Sequence, residues 1–223
     1  MESNLFFGLI QRRECLLPTW RGLFIFMFFG VGLLATAAIN IQPFLAHTER
    51  VPAEVLVVEG WVSDYVLEEA LAEFNRGSYS RLYVTGGPIE KGGMFSEYKT
   101  FAELGAAILI RMGASSNVVE AVPSPLVRRD RTYASALALK NILHQQAATI
   151  TGINLVSVGV HARRSHLLFQ KALDKELRVG IITIEDRNFD SKRWWKYSEG
   201  VRTVTDEFFA YIYASLVFPF VET

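Results

Sequence analysis

The residues best equipped for chemistry in this sequence are a histidine, two carboxylates and a set of arginines and hydroxyls beside glycines. His161 follows a β-branched run and a glycine in Val158-Gly159-Val160-His161, and Arg163 and Arg164 come directly after. An imidazole can transfer a proton or contact an anion near neutral pH, and a guanidinium can fork onto phosphate or carboxylate. Glu59 ends another apolar run, and Glu97 follows Ser96. His161 with Glu59 or Glu97 is the acid–base equipment of a hydrolase or transferase. Ser96, Arg131, Thr132 and Arg164 are candidate donors to an anionic ligand, and Gly60, Gly86 and Gly87 would let backbone approach it closely.

Each candidate has a structural alternative. Glu97 would cap its own helix, where the dipole favours a carboxylate. Gly86 and Gly87 would serve a tight turn, Arg128, Arg129 and Arg131 a solvated face, and His161 the start of a helix. His144 and His166 fall inside helical stretches and read as surface or packing residues. The sequence has no G-x-S-x-G elbow, Walker loop, G-x-G-x-x-G fingerprint, H-x-x-x-H, CxxC or Asp-rich loop. No metal centre is expected on that basis, and no motif names a cofactor.

These residues need a scaffold that gathers them, and the hydrophobic pattern supplies one. Apolar, β-branched runs at 54–58, 81–85, 117–122, 153–158 and 179–184 read as strands buried on both faces. Between them, 64–76, 96–112, 130–146 and 163–174 have helical spacing, and a C-terminal helix is expected over about 197–216. The alternation predicts an α/β domain: a Rossmann-like parallel sheet of about five strands with helices on both faces. In such sheets ligands bind beyond the carboxyl ends of the strands. Those ends carry Glu59-Gly60, Gly86-Gly87 and Gly159-Val160-His161, so a crevice lined by the candidate residues follows from topology.

The N-terminal region is of another kind. Residues 22–39 contain no charge, and the run extends to 41 through Asn40. About 20 helical residues cross a bilayer core of roughly 30 Å. Arg12, Arg13 and Arg21 precede the run, whereas Arg50 follows it beside Glu49. This asymmetry predicts a single-pass anchor in the cytoplasmic (inner) membrane, N-terminus inside and domain outside. The expected layout is a cytoplasmic leader (1–21), an anchor (22–41), a linker (42–53) and the α/β domain (54–223). A cleaved signal peptide ending at Ala35-Thr36-Ala37 competes with this reading, although the charged leader is long and the apolar run continues past the cut. A buried core helix is a third reading, but the stretch has no polar face to show water. The 208–221 segment is apolar but short, and is expected to pack on the domain or lie at a membrane surface. Lys+Arg and Asp+Glu balance at 23 each, so no overall field recruits nucleic acid. Cys15, the single cysteine, cannot form an intramolecular disulfide.

Four segments together resemble the DUF218 family (SanA/ElyC/YdcF-like). They are Val84-Thr85-Gly86-Gly87, Ser96-Glu97, Arg131-Thr132-Tyr133 with Ala136, and His161-Ala162-Arg163-Arg164, in family order over roughly 55–184. The chain departs from the family in reading Thr132-Tyr133-Ala134-Ser135-Ala136 where Thr-x-Glu-Asn-Ala is common, and in ending its first strand Glu59-Gly60-Trp61. The resemblance implies a Rossmann-like fold and a role in cell-envelope or peptidoglycan homeostasis. It leaves three functions open: binding of an anionic small ligand or the head group of a lipid-linked precursor, catalysis through His161 and a carboxylate, or a non-catalytic interaction domain.

Overall fold

The computed structural model describes residues 17–93, 95–145 and 150–217. Most of the expected leader (1–16), Gln146 at the expected end of a helix, and residues 218–221 of the C-terminal apolar run lie outside them. Two compact units divide the chain, Met1–Asn40 and Ile41–Thr223.

The first helix, α1, spans Trp20–Leu45. At 1.5 Å per residue its 26 residues extend about 39 Å, and it is long and apolar enough to cross a membrane. Phe24, Phe26, Phe28, Leu33 and Leu34 are exposed. Two polar side chains within it bond to its own backbone: Thr36 Oγ1 donates to Gly32 O and Asn40 Nδ2 to Thr36 O.

The second unit is an α/β domain around a five-stranded, all-parallel sheet in the order β3-β2-β1-β4-β5. The strands are β1 (Val55–Glu59), β2 (Arg81–Gly86), β3 (Val119–Pro123), β4 (Gly152–Val158) and β5 (Arg178–Ile184). The helices are α2 (Asp64–Arg76), α3 (Phe101–Arg111), α4 (Arg131–Gln145), α5 (Ala162–Ala172) and α6 (Ser198–Ile212), the last followed by a π-helical turn, Tyr213–Val217. Strand residues alternate between two cores. Leu56, Val58, Leu82 and Val84 pack with Val66, Leu67 and Ala70 of α2 and Ala106 and Leu109 of α3. Val55, Val57 and Tyr83 pack on the other face with Ala136 and Leu139 of α4 and Phe169 of α5. Burial on both faces explains why β1 reads as a continuous apolar run.

Two expectations are corrected. Helix α3 does not open at Ser96-Glu97. It begins at Phe101, where Thr100 and Glu103 form a reciprocal capping box that satisfies two backbone N–H groups. The segment expected as a linker is docked on the sheet edge. Glu49 exchanges both backbone hydrogen bonds with Ile181 of β5, 2.8 Å each. Val51 is held through its N–H and carbonyl by the buried Asn154 side chain, at 3.0 and 2.9 Å. This arm covers an edge that would otherwise present unpaired backbone groups.

Candidate functional site

The site forms where the sheet order reverses. The chain runs outward from β1 through β2 to β3, then crosses back to place β4 on the other side of β1. Beyond the carboxyl ends of these strands lies a cavity of about 690 Å³. It is lined by Glu59, Thr85, Gly86, Gly87, Arg131, Thr132, His161, Arg164 and Glu207, with Trp61 and Tyr213 among the aromatic wall residues.

Glu59 terminates β1 and is 3% exposed. Its carboxylate accepts from Ser157 Oγ on β4 at 2.6 Å, and from Ser165 Oγ on α5 at 3.1 Å to each oxygen. His161 ends a short 3-10 turn, Gly159–His161, that leads into α5. The turn requires a positive φ at Gly159 (+48°), where an added Cβ would also stand 3.0 Å from Asp186 Cβ. The imidazole lies between two carboxylates. Nδ1 lies 2.8 Å from Glu207 Oε1 and 2.9 Å from Arg164 Nη2; in the protonated ring it donates to Glu207, and Arg164 is then a neighbouring cation and not its partner. Nε2 is at ion-pair distance, 3.5 Å, from Glu59 Oε1 without a formed hydrogen bond. The Trp61 ring meets the imidazole edge-on, centroids 4.8 Å apart.

Arg164, one turn into α5, donates from Nε to Glu207 Oε2 at 2.8 Å and from Nη2 to Oε1 at 3.0 Å, a forked pair. Two cations and two anions thus balance in a largely buried cluster. Burial opposes the charged form of His161, but the Glu59 charge and the Glu207 hydrogen bond prevail and push the imidazole up to about 9. Burial likewise opposes ionised Glu207, but His161 and Arg164 hold it down to about 2. Glu59 is also held below the usual carboxylate range: burial works against this, and the nearby His161 charge and the hydrogen bond from Ser157 outweigh it. At neutral pH His161 is therefore an imidazolium, a donor to anions.

The cavity wall carries further donors, the first of them on β2 directly beside Glu59. Thr85 is 1% exposed and its Oγ1 has no hydrogen-bond partner among the described residues. Asp130, in the left-handed conformation (φ 58°), turns the chain into α4 and leaves Arg131 exposed at the helix N-terminus, beside the cavity. Ser124 and Ser135 share a hydrogen bond of 3.1 Å on the same wall.

Of the residues selected from sequence, the cavity gathers Glu59, Gly86, Gly87, Arg131, Thr132, His161 and Arg164. Ser96, Glu97 and Gly60 are not among its lining residues. Glu97 is exposed in the loop before α3, because that helix starts later than its sequence suggests. Gly60 lies under α3, where a Cβ would stand 2.3 Å from the Phe101 carbonyl, so its role is close helix–sheet packing. Glu207 was missed. Its signal was a carboxylate on the apolar stripe of α6, between Val204 and Phe208 and four residues before Tyr211. No protein-family model and no curated protein matches the chain.

Proposed function

We propose that this is a membrane-anchored envelope protein of the DUF218 type. Its cavity binds an anionic small ligand or the phosphate-bearing head group of a lipid-linked precursor. The observation that carries this reading is the convergence of imidazolium His161, Arg131, Arg164 and the unpaired Thr85 hydroxyl on one cavity at the carboxyl edge of a parallel sheet. The orientation, N-terminus in the cytoplasm and domain outside, rests on the arginines before the uncharged run 22–39. It is supported by activity of a phosphatase reporter fused after Thr223 outside the cytoplasm, and refuted by activity of a cytoplasmic reporter alone.

Binding is tested on the full-length chain in detergent with inorganic phosphate, nucleotides, sugar phosphates and a short-chain polyprenyl phosphate. Arg131→Ala should weaken the best-bound probe by about 1.5–3 kcal/mol, the range for a hydrogen bond to a charged group. Replacing exposed Lys175 by Ala should leave affinity unchanged. Equal affinity of parent and Arg131→Ala would place the anion elsewhere. A second reading, a hydrolase or transferase, is favoured by the placement of His161 between Glu59 and Glu207. It requires turnover of a bound phosphoester that is lost in His161→Gln while binding persists.

A further inference from the structure

We infer that His47, Glu49 and His166 form a site for a divalent transition-metal ion of the zinc class. The site is separate from the cavity and joins the arm after α1 to helix α5. One ligand atom from each of these residues lies within 4.8 Å of the other two. Ligands of a tetrahedral zinc stand about 3.4 Å apart, given bonds of roughly 2.0–2.1 Å. The cluster is therefore within a small side-chain adjustment of closing on an ion, and Glu49 is exposed and able to make it.

The nitrogen environment suits this purpose. His166 is 6% exposed, and its Nε2 lies 2.7 Å from the Val179 carbonyl. A carbonyl can only accept, so Nε2 carries the proton and Nδ1 keeps a lone pair. A backbone carbonyl orienting the far nitrogen is the usual outer partner of a metal-bound imidazole. The Gln170 amide nitrogen lies 3.0 Å from the same Nε2, and turning the amide over presents its oxygen there as a second acceptor. On the other side, His47 Nδ1 is buried without a hydrogen-bond partner, a cost that a metal would remove. The two rings stand 5.5 Å apart, centre to centre. Arg163, the neighbouring cation, is engaged elsewhere: it stacks 4.0 Å from the Phe44 ring centre and donates to the Phe44 carbonyl.

Two imidazoles and one carboxylate are a donor set matched to zinc rather than to calcium or magnesium. Three protein ligands leave one tetrahedral position for water. The arm already pairs Glu49 with Ile181 and ties Thr48 Oγ1 to the Thr183 N–H. A metal between arm and α5 would fasten it further, because a ligand of the folded form stabilises it.

The test uses the untagged full-length chain in detergent, stripped with a chelator and titrated with zinc against a chromophoric competitor. One equivalent should bind, and cobalt in its place should give the visible absorption of a four-coordinate ion. His47→Gln and Glu49→Gln, both outside the core, should each weaken binding by at least about tenfold. His144→Ala, which removes a separate surface histidine, should change nothing. The inference fails if the parent chain binds no zinc, if folded His47→Gln binds as tightly as the parent, or if His144→Ala loses the equivalent.

Discussion

Replacing Glu207 by Gln is the most informative single change, because it keeps the shape of the side chain and removes one charge from the buried quartet. Glu207 accepts from His161 Nδ1 and from two nitrogens of Arg164. Moving an imidazole from its ordinary 6.5 to about 9 corresponds to about 3 kcal/mol of preference for the charged form. The depression of Glu207 from 4.5 to about 2 is largely the same interaction seen from its other end, and is counted once. Glu59 retains part of the hold on His161, but Arg164 loses its forked partner as well. A loss of about 3 kcal/mol is therefore expected, within the range for breaking a buried pair. For a domain of this size that is a fall of about 6–12 °C in Tm. The pH dependence has a defined sign. The His161 contribution is complete below pH 6.5 and fades as pH rises through about 9. The Glu207 contribution is complete above pH 4.5 and fades as pH falls through about 2. The difference between parent and Glu207→Gln should thus be largest between pH 4.5 and 6.5 and shrink toward pH 10. Circular-dichroism melts across that range measure the stability, and the His161 ring resonance measures its pKa, which should drop by about one pH unit or more. Equal melting at pH 6 together with an unmoved His161 titration would refute the coupling.

Three further outcomes follow from the geometry. Thr85→Val, nearly isosteric, removes a buried hydroxyl that lacks a partner, so stability in chemical denaturation should change by less than about 1 kcal/mol while anion affinity falls; a large loss of stability would mean that the hydroxyl is satisfied within the fold. Gly86→Ala sets a Cβ 2.8 Å from the Ala102 backbone nitrogen and should cost about 1–3 kcal/mol, whereas Gly87→Ala meets nothing nearer than Ser124 Oγ at 3.4 Å and should be tolerated; comparing the two melting temperatures decides the matter. Asn154→Ala strips Val51 of both side-chain partners and should cost about 1–3 kcal/mol, with faster amide exchange at Val51 as the specific readout; unchanged exchange there would show that Asn154 does not hold the arm.

What was legible in the sequence, and what was not, has a physical pattern. The sheet could be read because β1 is covered on both faces, which writes an uninterrupted apolar run into the chain up to Glu59. The crevice followed from topology, since Glu59, Gly87 and His161 each stand where a strand ends. The start of α3 was misread because two capping signals lie four residues apart. Thr100 with Glu103 satisfies two backbone donors, and Ser96-Glu97 is left in the preceding loop. The arm over β5 left no trace in side-chain periodicity, because its pairing is made by backbone groups and by Asn154, about a hundred residues away. Glu207 lies in a helix remote from every motif, and became readable only as a charge on an otherwise apolar stripe.

The charge state of the buried quartet also decides which chemistry comes most readily to the site. A buried ion cluster is weak evidence for stability, since desolvation offsets much of the attraction; its position at the reversal of the sheet order is what gives it functional weight. With His161 pushed up to about 9, the resting imidazole already carries both protons. It can donate to an anion, or protonate a leaving group, once a ligand opens Nε2, which is buried and faces Glu59. To act as a base it must first lose a proton, and the adjacent acceptors, Glu59 and Glu207, are both held in their ionised forms. An anionic ligand entering beside His161 would reinforce the imidazolium, whereas a ligand whose proton must be removed would work against it. Anion binding and acid catalysis therefore fit the resting cluster, and base catalysis would require the ligand itself to lower the imidazole pKa by displacing one of the carboxylates.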